Sequence, residues 1–236
     1  MYKLKAEHRC LFLYKIGEMK IIIEEIKINN EKYPQKLKNI YDSPTKIYVL
    51  GNKEILNQKS IAIVGSRNAT QYGKKTAYEI AKKISEKGIN IISGLAIGID
   101  TYAHLGTLQQ KRGKTIAVLG SGIDKIYPKE NIQLAQNIIK SGGCILSEYP
   151  LGEKANRMNF PQRNRIISGL SDGILVVEAN QKSGALITVE FGLEQGKDIF
   201  AVPGDINKPQ SKGCNMLIKD GAKIVLSEQE ILDEIF

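Results

Sequence analysis

The feature that most restricts how this chain folds is a series of short apolar runs, most of which end in a turn of small residues. Five such runs are rich in β-branched side chains and alternate with helical stretches: 61–64, 90–93, 115–119, 174–177 and 198–202. Strands that alternate with helices are typical of a parallel sheet that is covered on both sides. The sequence therefore predicts an α/β fold with a mostly parallel sheet and helices on both faces.

The first part of the chain lacks this pattern. Residues 1–40 are rich in lysine, show no clear period and lead into Tyr33-Pro34 and Ser43-Pro44. We interpret 1–40 as an N-terminal appendage, or as the remnant of a helical domain, and 41–236 as the main domain. A length of 236 residues is ample for a buried core in that domain.

Small-residue turns follow four of the predicted strands, at 65–67, 93–98, 120–122 and 203–204. The carboxyl ends of parallel strands meet at one edge of a sheet, where backbone amides and helix N-termini favour anions. The first turn lacks the second and third glycines of a dinucleotide fingerprint, and the chain contains no Walker loop. We therefore expect a phosphate-binding crevice in which Arg67 reaches a phosphate and the Gly65 and Ser66 region donates amide hydrogen bonds.

The segment 159–167 combines two arginines, two asparagines and Phe160 beside a proline. Arginine binds phosphate oxygens through two donors at once, and an aromatic ring offers a face on which an unpaired base stacks. The alternative is an arginine-rich turn on the surface that is exposed to water and binds no ligand. The net charge of +9 supports an acidic partner without identifying it.

Candidates for catalysis are few. Asp100 and His104 share one helical face, so they could form a catalytic triad with Ser93. The simpler alternative is that Asp100 caps the helix and that His104 is a packed side chain. Three acidic residues beside the predicted edge raise the question of bond cleavage: Glu178, Glu190 and Asp205. We expect no catalytic residue, no metal and no cofactor.

Cysteine content and hydropathy bear on location. The three cysteines are odd in number and widely separated, which indicates neither a disulfide framework nor a zinc site. No apolar run approaches the roughly 18 residues of a membrane helix. We expect a cytoplasmic protein with no membrane contact.

A set of ordered motifs resembles the DNA-processing protein A (DprA or Smf) family. The motifs are IAIVGSR at 61–67, ISGLAIGID at 92–100, GSGID at 120–124, FPQRNRIISGLS at 160–171, FAVPG at 200–204 and GCNMLI at 213–218. Each motif alone is weak, but their order over roughly residues 33–226 is specific. Ala185, where the family usually has serine, and Glu190 depart from the pattern.

The resemblance implies an extended Rossmann-like domain at 41–236 that binds single-stranded DNA without catalysis. It also implies a homodimer that helps to load the RecA recombinase during natural transformation. The DNA-binding positions that carry over, or that would let the backbone approach the strand, are Gly65, Ser66, Arg67, Gly94, Arg157, Phe160, Arg163, Asn164, Arg165, Ser183 and Gly184. Arg163 and Arg165 could instead be structural, with one of them forming a salt bridge towards the interior.

A nucleotide-processing or nucleotide-sensing protein of the lysine-decarboxylase-like LOG group is the alternative from another class. Those proteins are similar in placing a glycine-rich loop and a glutamate against a nucleoside phosphate. Here the corresponding stretch, 183–188 followed by Glu190, carries an incomplete glycine signature.

Overall fold

The computed structural model describes residues 3–6, 9–16 and 19–236, and it describes side chains from residue 22 onward. Within these residues, eleven strands form one sheet. The strands are β1 Lys3–Ala6, β2 Arg9–Ile16, β3 Met19–Lys27, β4 Lys46–Gly51, β5 Ser60–Val64, β6 Asn90–Ser93, β7 Thr115–Leu119, β8 Cys144–Ser147, β9 Gly173–Val176, β10 Asp198–Ala201 and β11 Lys223–Ile224.

Eight α-helices accompany the sheet in the described part of the chain. They are α1 Gln35–Lys38, α2 Gln71–Glu86, α3 Ile99–Thr107, α4 Ile132–Lys140, α5 Asn159–Leu170, α6 Ala185–Glu194, α7 Lys212–Lys219 and α8 Gln229–Ile235. None of these described helices is both long and apolar enough to cross a membrane.

In the middle of the sheet, successive strands stop being added on one side of β5 and start being added on the other side. The order is β1-β2-β3-β4-β8-β7-β6-β5-β9-β10-β11, and all neighbours from β8 to β11 in this order are parallel. From β5 the chain builds outward through β6, β7 and β8, and then returns to add β9 on the other side. Ligands of doubly wound sheets bind at such a switch point, beyond the carboxyl ends of the strands.

Helices cover both faces of the parallel strands. Ile61 and Ile63 of β5 belong to the apolar cluster that contains residues of α2, whereas Ala62 and Val64 belong to the cluster that contains residues of α5. Alternate side chains of a strand point to opposite faces, so β5 is buried on both sides. The predicted Rossmann-like α/β fold is confirmed.

The N-terminal part differs from the helical remnant that we considered from the sequence. Up to residue 27 its described residues form the antiparallel strands β1, β2 and β3, and β3 pairs with β4, which in turn pairs with β8. The isoleucines Ile23 and Ile26 of β3 are buried. Residues 19–27 form a strand because the edge of β4 is available to pair with them. The sequence pattern of residues 1–40 does not show that this partner exists. The division of the chain at residue 40 stays a prediction.

Candidate functional site

A cleft of about 690 Å³ opens at the switch point between β5 and β9. Its walls come from the loop after β5, from the first turns of α5 and the residues before it, and from the loop between β9 and α6. Nearly all of the residues predicted to bind DNA line this cleft: Gly65, Ser66, Arg67, Arg157, Phe160, Arg163, Asn164, Ser183 and Gly184. Gly94 lines a smaller side pocket next to it.

Arg67 and Phe160 meet in this cleft. The exposed Arg67 guanidinium lies 5.0 Å from the centroid of the half-buried Phe160 ring, within the range of a cation–π contact. The Tyr127 ring lies 5.7 Å from the same ring at an angle of 39°. A Cβ on Gly120 would come within 2.9 Å of Phe160, so the glycine lets the ring pack against the loop after β7. We did not predict Tyr127 as a site residue, although it follows the GSGID motif closely.

Arg163 forms the floor of the cleft. Its buried guanidinium donates hydrogen bonds to the carbonyl oxygens of Val118 and Gly94, the latter at 2.7 Å. Burial lowers the pKa of Arg163 to about 10, against the opposing effect of Asp100, so the group stays charged at neutral pH. A Cβ on Gly94 would lie 2.5 Å from this guanidinium. Gly94 therefore makes room for Arg163, and its role in the approach of DNA to the backbone stays a prediction.

Asp100 stabilises the loop before α3. Its carboxylate accepts hydrogen bonds from the backbone amides of Gly94 at 3.0 Å and Ala96 at 3.3 Å. Burial raises the pKa of Asp100, and the charge of Arg163 opposes that shift. The N-cap residue of α3 is Gly98 and not Asp100, so the predicted helix cap is replaced by a bridge from Asp100 to the loop after β6.

The conceivable triad is not formed. The Nδ1 atom of His104 is hydrogen-bonded to the Thr115 hydroxyl at 2.6 Å, and the Ser93 hydroxyl donates to the carbonyl of Ile63 at 2.7 Å. Burial lowers the pKa of His104 to about 3, so the ring is neutral at physiological pH. Each of the three side chains has a separate structural partner.

The turn after β5 is fixed by contacts with other residues of the chain. The Ser66 amide donates to the Glu178 carbonyl at 2.7 Å, and a Cβ on Gly65 would lie 2.6 Å from the Ile99 side chain. The Ser66 amide is therefore not free to donate to a phosphate, whereas the amide contacts expected of the Gly65 and Ser66 region as a whole stay a prediction. The Glu178 carboxylate accepts hydrogen bonds from the amide and hydroxyl of Thr70, the residue that caps the N-terminus of α2, so Glu178 holds that cap in place.

Arg165 lies outside the cleft. Its guanidinium donates to both carboxylate oxygens of Glu148 at 2.6 Å and contacts the Asp42 carboxylate at 2.9 Å, and only 7 % of its side chain is exposed. The predicted DNA contact of Arg165 is corrected to a buried ion pair, which is the alternative left open above.

The remaining predicted residues occupy the rim and the wall next to α6. Arg157 is exposed, and the Asn164 amide donates to the Gly184 carbonyl at 3.2 Å. The Ser183 hydroxyl accepts from the Ala185 amide at 3.3 Å. Four cleft residues that we did not predict to bind DNA complete this wall and the rim: Asn68, Asn180, Lys182 and Thr188. The adjacency of Asn68 to Arg67 and of Lys182 to Ser183 was the available signal.

The charge around the cleft is mainly positive. Exposed Arg67, Arg157 and Lys182 surround it, and among the described lining residues the single carboxylate is Asp100, which faces Arg163. The described residues contain no cluster of three acidic, histidine or cysteine side chains that could hold a metal. Fold and site together define a Rossmann-like protein with a positively charged cleft that contains an aromatic side chain.

Comparison with known proteins identifies the family within this class. The sequence matches the family DNA recombination-mediator protein A over residues 24–236, and the chain belongs to that family. It is 44 % identical to the DNA processing protein DprA of Bacillus subtilis over 214 residues, which are 90 % of this chain and 71 % of the relative. The resemblance inferred from the motifs is thereby confirmed.

Two solved structures of relatives share the fold. The X-ray structure of DprA from Streptococcus pneumoniae has a TM-score of 0.85 at 43 % identity and covers 90 % of this chain and 74 % of its own. A structure of DprA from Helicobacter pylori, described by its unique single-stranded DNA binding mode, has a TM-score of 0.79 at 29 % identity. It covers 89 % of this chain and 94 % of its own.

Proposed function

We propose that this protein binds single-stranded DNA in the cleft at the switch point and catalyses no reaction on it. The observation that carries the proposal is the pairing of the Arg67 guanidinium with the Phe160 ring inside a positively charged cleft. A cation that binds phosphate and a ring on which a base stacks are the two elements of single-strand binding without sequence preference. Arg157 and Lys182 extend the positive charge along the rim.

Similarity to relatives supports the same proposal. The Helicobacter pylori relative binds single-stranded DNA, and it aligns over 89 % of this chain. By analogy with the family, the protein protects incoming strands during natural transformation, helps to load RecA onto them and works in the cytoplasm. These roles rest on the family resemblance alone, whereas the binding of single-stranded DNA is also supported by the geometry of the cleft.

We further propose a homodimer that uses the edge of the sheet at β11. Ile224 on this strand is 46 % exposed, and Leu226 just after it is 74 % exposed. An edge strand with exposed apolar side chains is a favourable pairing surface. Sedimentation equilibrium measures whether the chain is a dimer at micromolar concentration.

The test of the DNA-binding proposal is fluorescence anisotropy with a labelled single-stranded oligonucleotide, over a salt series and with duplex competitor. Arg67→Ala should weaken binding and reduce the slope of log K against log salt by about 1, because one phosphate contact is lost. Arg112→Ala is the matched control, since Arg112 is also exposed but lies before β7, at the opposite edge of the sheet. Equal affinity for duplex, or equal salt slopes for the two variants, would refute the proposal.

The LOG-like alternative predicts turnover of a nucleoside monophosphate. The three acidic candidates offer little support for it: Glu178 is bonded to Thr70, the cap of α2, while Glu190 and Asp205 are exposed and do not line the cleft. Hydrolysis of a nucleoside monophosphate in an assay with purified protein would favour the enzyme over the strand-binding protein.

A further inference from the structure

Two lysines next to the cleft have no role in holding the fold together. Lys208 lies in the loop between β10 and α7, Lys212 is the first residue of α7, and both are exposed. Neither forms an ion pair within the described part of the chain, and neither lines the cleft. Their ammonium groups are therefore available to the phosphate oxygens of a ligand.

The loop between β10 and α7 is bonded directly to the wall of the cleft. The Ala179 amide donates to the Gln210 carbonyl at 2.9 Å, and the Gly213 amide donates to the Ala179 carbonyl at 2.8 Å. A Cβ on Gly213 would lie 2.8 Å from the carbonyl of Asn180, which lines the cleft. Since β10 is also the neighbour of β9 in the sheet, the loops after these two strands start only about 5 Å apart. Lys212, beside Gly213, therefore lies next to the cleft.

This loop is also held in one shape by its own contacts. The Asn215 side chain donates to the Gly204 carbonyl at 2.9 Å and accepts from the Gly204 amide at 3.1 Å. Asp205 is the single acidic residue among 202–212, and its carboxylate accepts from the Asn207 amide at 2.9 Å. The loop and the first residue of α7 thus carry an excess of positive charge on a preformed surface. An anion that binds there has little conformational entropy to overcome.

We propose that single-stranded DNA leaves the cleft across this loop, and that Lys208 and Lys212 bind phosphates of the nucleotides beyond the cleft. Lys182 connects the two surfaces, because it is exposed on the rim of the cleft, in the same loop as Ala179. Ile206, which is 78 % exposed, adds an apolar side chain between the charges, as suits a polymer of phosphates and bases. A basic surface that follows the backbone is typical of binding without sequence preference. The inference rests on the proposed function, since the strand in the cleft is its starting point.

The test is a length series of oligothymidylates, from about 2 to about 16 nucleotides, in competition with a labelled 16-mer on the full chain. The double variant Lys208→Ala with Lys212→Ala should bind the 16-mer about tenfold more weakly, as expected for two lost contacts between exposed charges. It should bind the shortest oligonucleotides like the unmodified protein, because these do not extend beyond the cleft. For the 16-mer, the slope of log K against log salt should fall by about 1 to 2, because each lost phosphate contact lowers it by roughly 0.7 to 1.

Lys87→Ala with Lys140→Ala is the matched control, because it removes the same charge. Both lysines are exposed, form no ion pair among the described residues and lie at the C-termini of α2 and α4, at the opposite edge of the sheet. The control should bind every length like the unmodified protein. The proposal is overturned if the Lys208 and Lys212 variant binds the 16-mer as tightly as the control. It is also overturned if that variant weakens the shortest and the longest oligonucleotides equally, because the two lysines would then act on the strand inside the cleft.

Arg67→Ala in the same series separates this inference from the proposed function. If Arg67→Ala weakens every length while the Lys208 and Lys212 variant changes none, the cleft binds DNA and the path across the loop is wrong. If the unmodified protein binds no oligonucleotide of any length, the proposed function fails and this inference fails with it.

Discussion

Replacement of Arg165 by methionine should destabilise the protein without weakening its binding to DNA. Arg165 lies two residues after Arg163 in the segment that the sequence marks for nucleic acid, yet its guanidinium is bonded to both carboxylate oxygens of Glu148. Methionine retains much of the apolar stem and removes the charge. The substitution therefore leaves Glu148 as a largely buried carboxylate without its cation.

The magnitude follows from the burial of the pair. Removal of one partner from a buried ion pair costs about 3 to 5 kcal/mol, and Glu148 retains 16 % of its side-chain exposure, so we expect the lower value of about 3 kcal/mol. The contact with Asp42 adds little, since that side chain is 67 % exposed and such pairs contribute roughly 0 to 1 kcal/mol. Replacing both partners, as in Arg165→Met with Glu148→Leu, should recover most of the loss, because no charge is then left buried.

The assay is equilibrium unfolding in urea, combined with anisotropy on single-stranded oligonucleotide under conditions where every variant is folded. Arg67→Ala provides the opposite pattern for comparison, with lower DNA affinity and almost unchanged stability. A loss of less than about 1 kcal/mol for Arg165→Met would contradict the energetic argument, because it is below the range for a broken buried pair. A folded variant with reduced DNA affinity would return Arg165 to the binding surface.

Two further predictions concern the cleft and the helix beneath it. Phe160→Ala should cost about 1 to 3 kcal/mol of single-strand affinity by removing the stacking face, and unchanged affinity in the same anisotropy assay would assign the ring to packing alone. His104→Gln should change the pH dependence of stability: the pKa of His104 falls from 6.5 to about 3 on folding, so the unfolded chain takes up the proton first and stability declines as pH falls below 6.5. Between about pH 6 and pH 4, the unmodified protein should lose about 1.4 kcal/mol per pH unit more than the variant, and parallel unfolding curves would exclude this role.

The parallel strands were predictable because their pattern is local. The runs 90–93 and 115–119 coincide with β6 and β7, and the other three predicted strands differ from the structure by a residue at one or both ends. A strand buried on both faces needs a continuous apolar run, and this signal does not depend on which strands become its neighbours. The turns of small residues then placed the cleft at the carboxyl ends of these strands, where the structure has it.

The antiparallel part of the sheet was not predictable in the same way. Strands β1 to β4 are stabilised by pairing across the sheet, and β4 finds its partner in β8, almost a hundred residues later in the chain. Strand preference depends on such neighbours more than helix preference does, so the lysine-rich pattern of 1–40 gave no indication of it.

The separate roles of the residues in α5 were decided by tertiary structure. The segment 159–167 indicated a site for a phosphate-bearing ligand from residue types alone, whereas the helical period determines which of its side chains reach that site. Phe160, Arg163, Asn164 and Ile167 recur at helical spacing and line the cleft, while Arg165 points to Glu148 on the other side of the helix. Two arginines that look equivalent in the sequence therefore have different contacts, because positions two residues apart on a helix face nearly opposite directions.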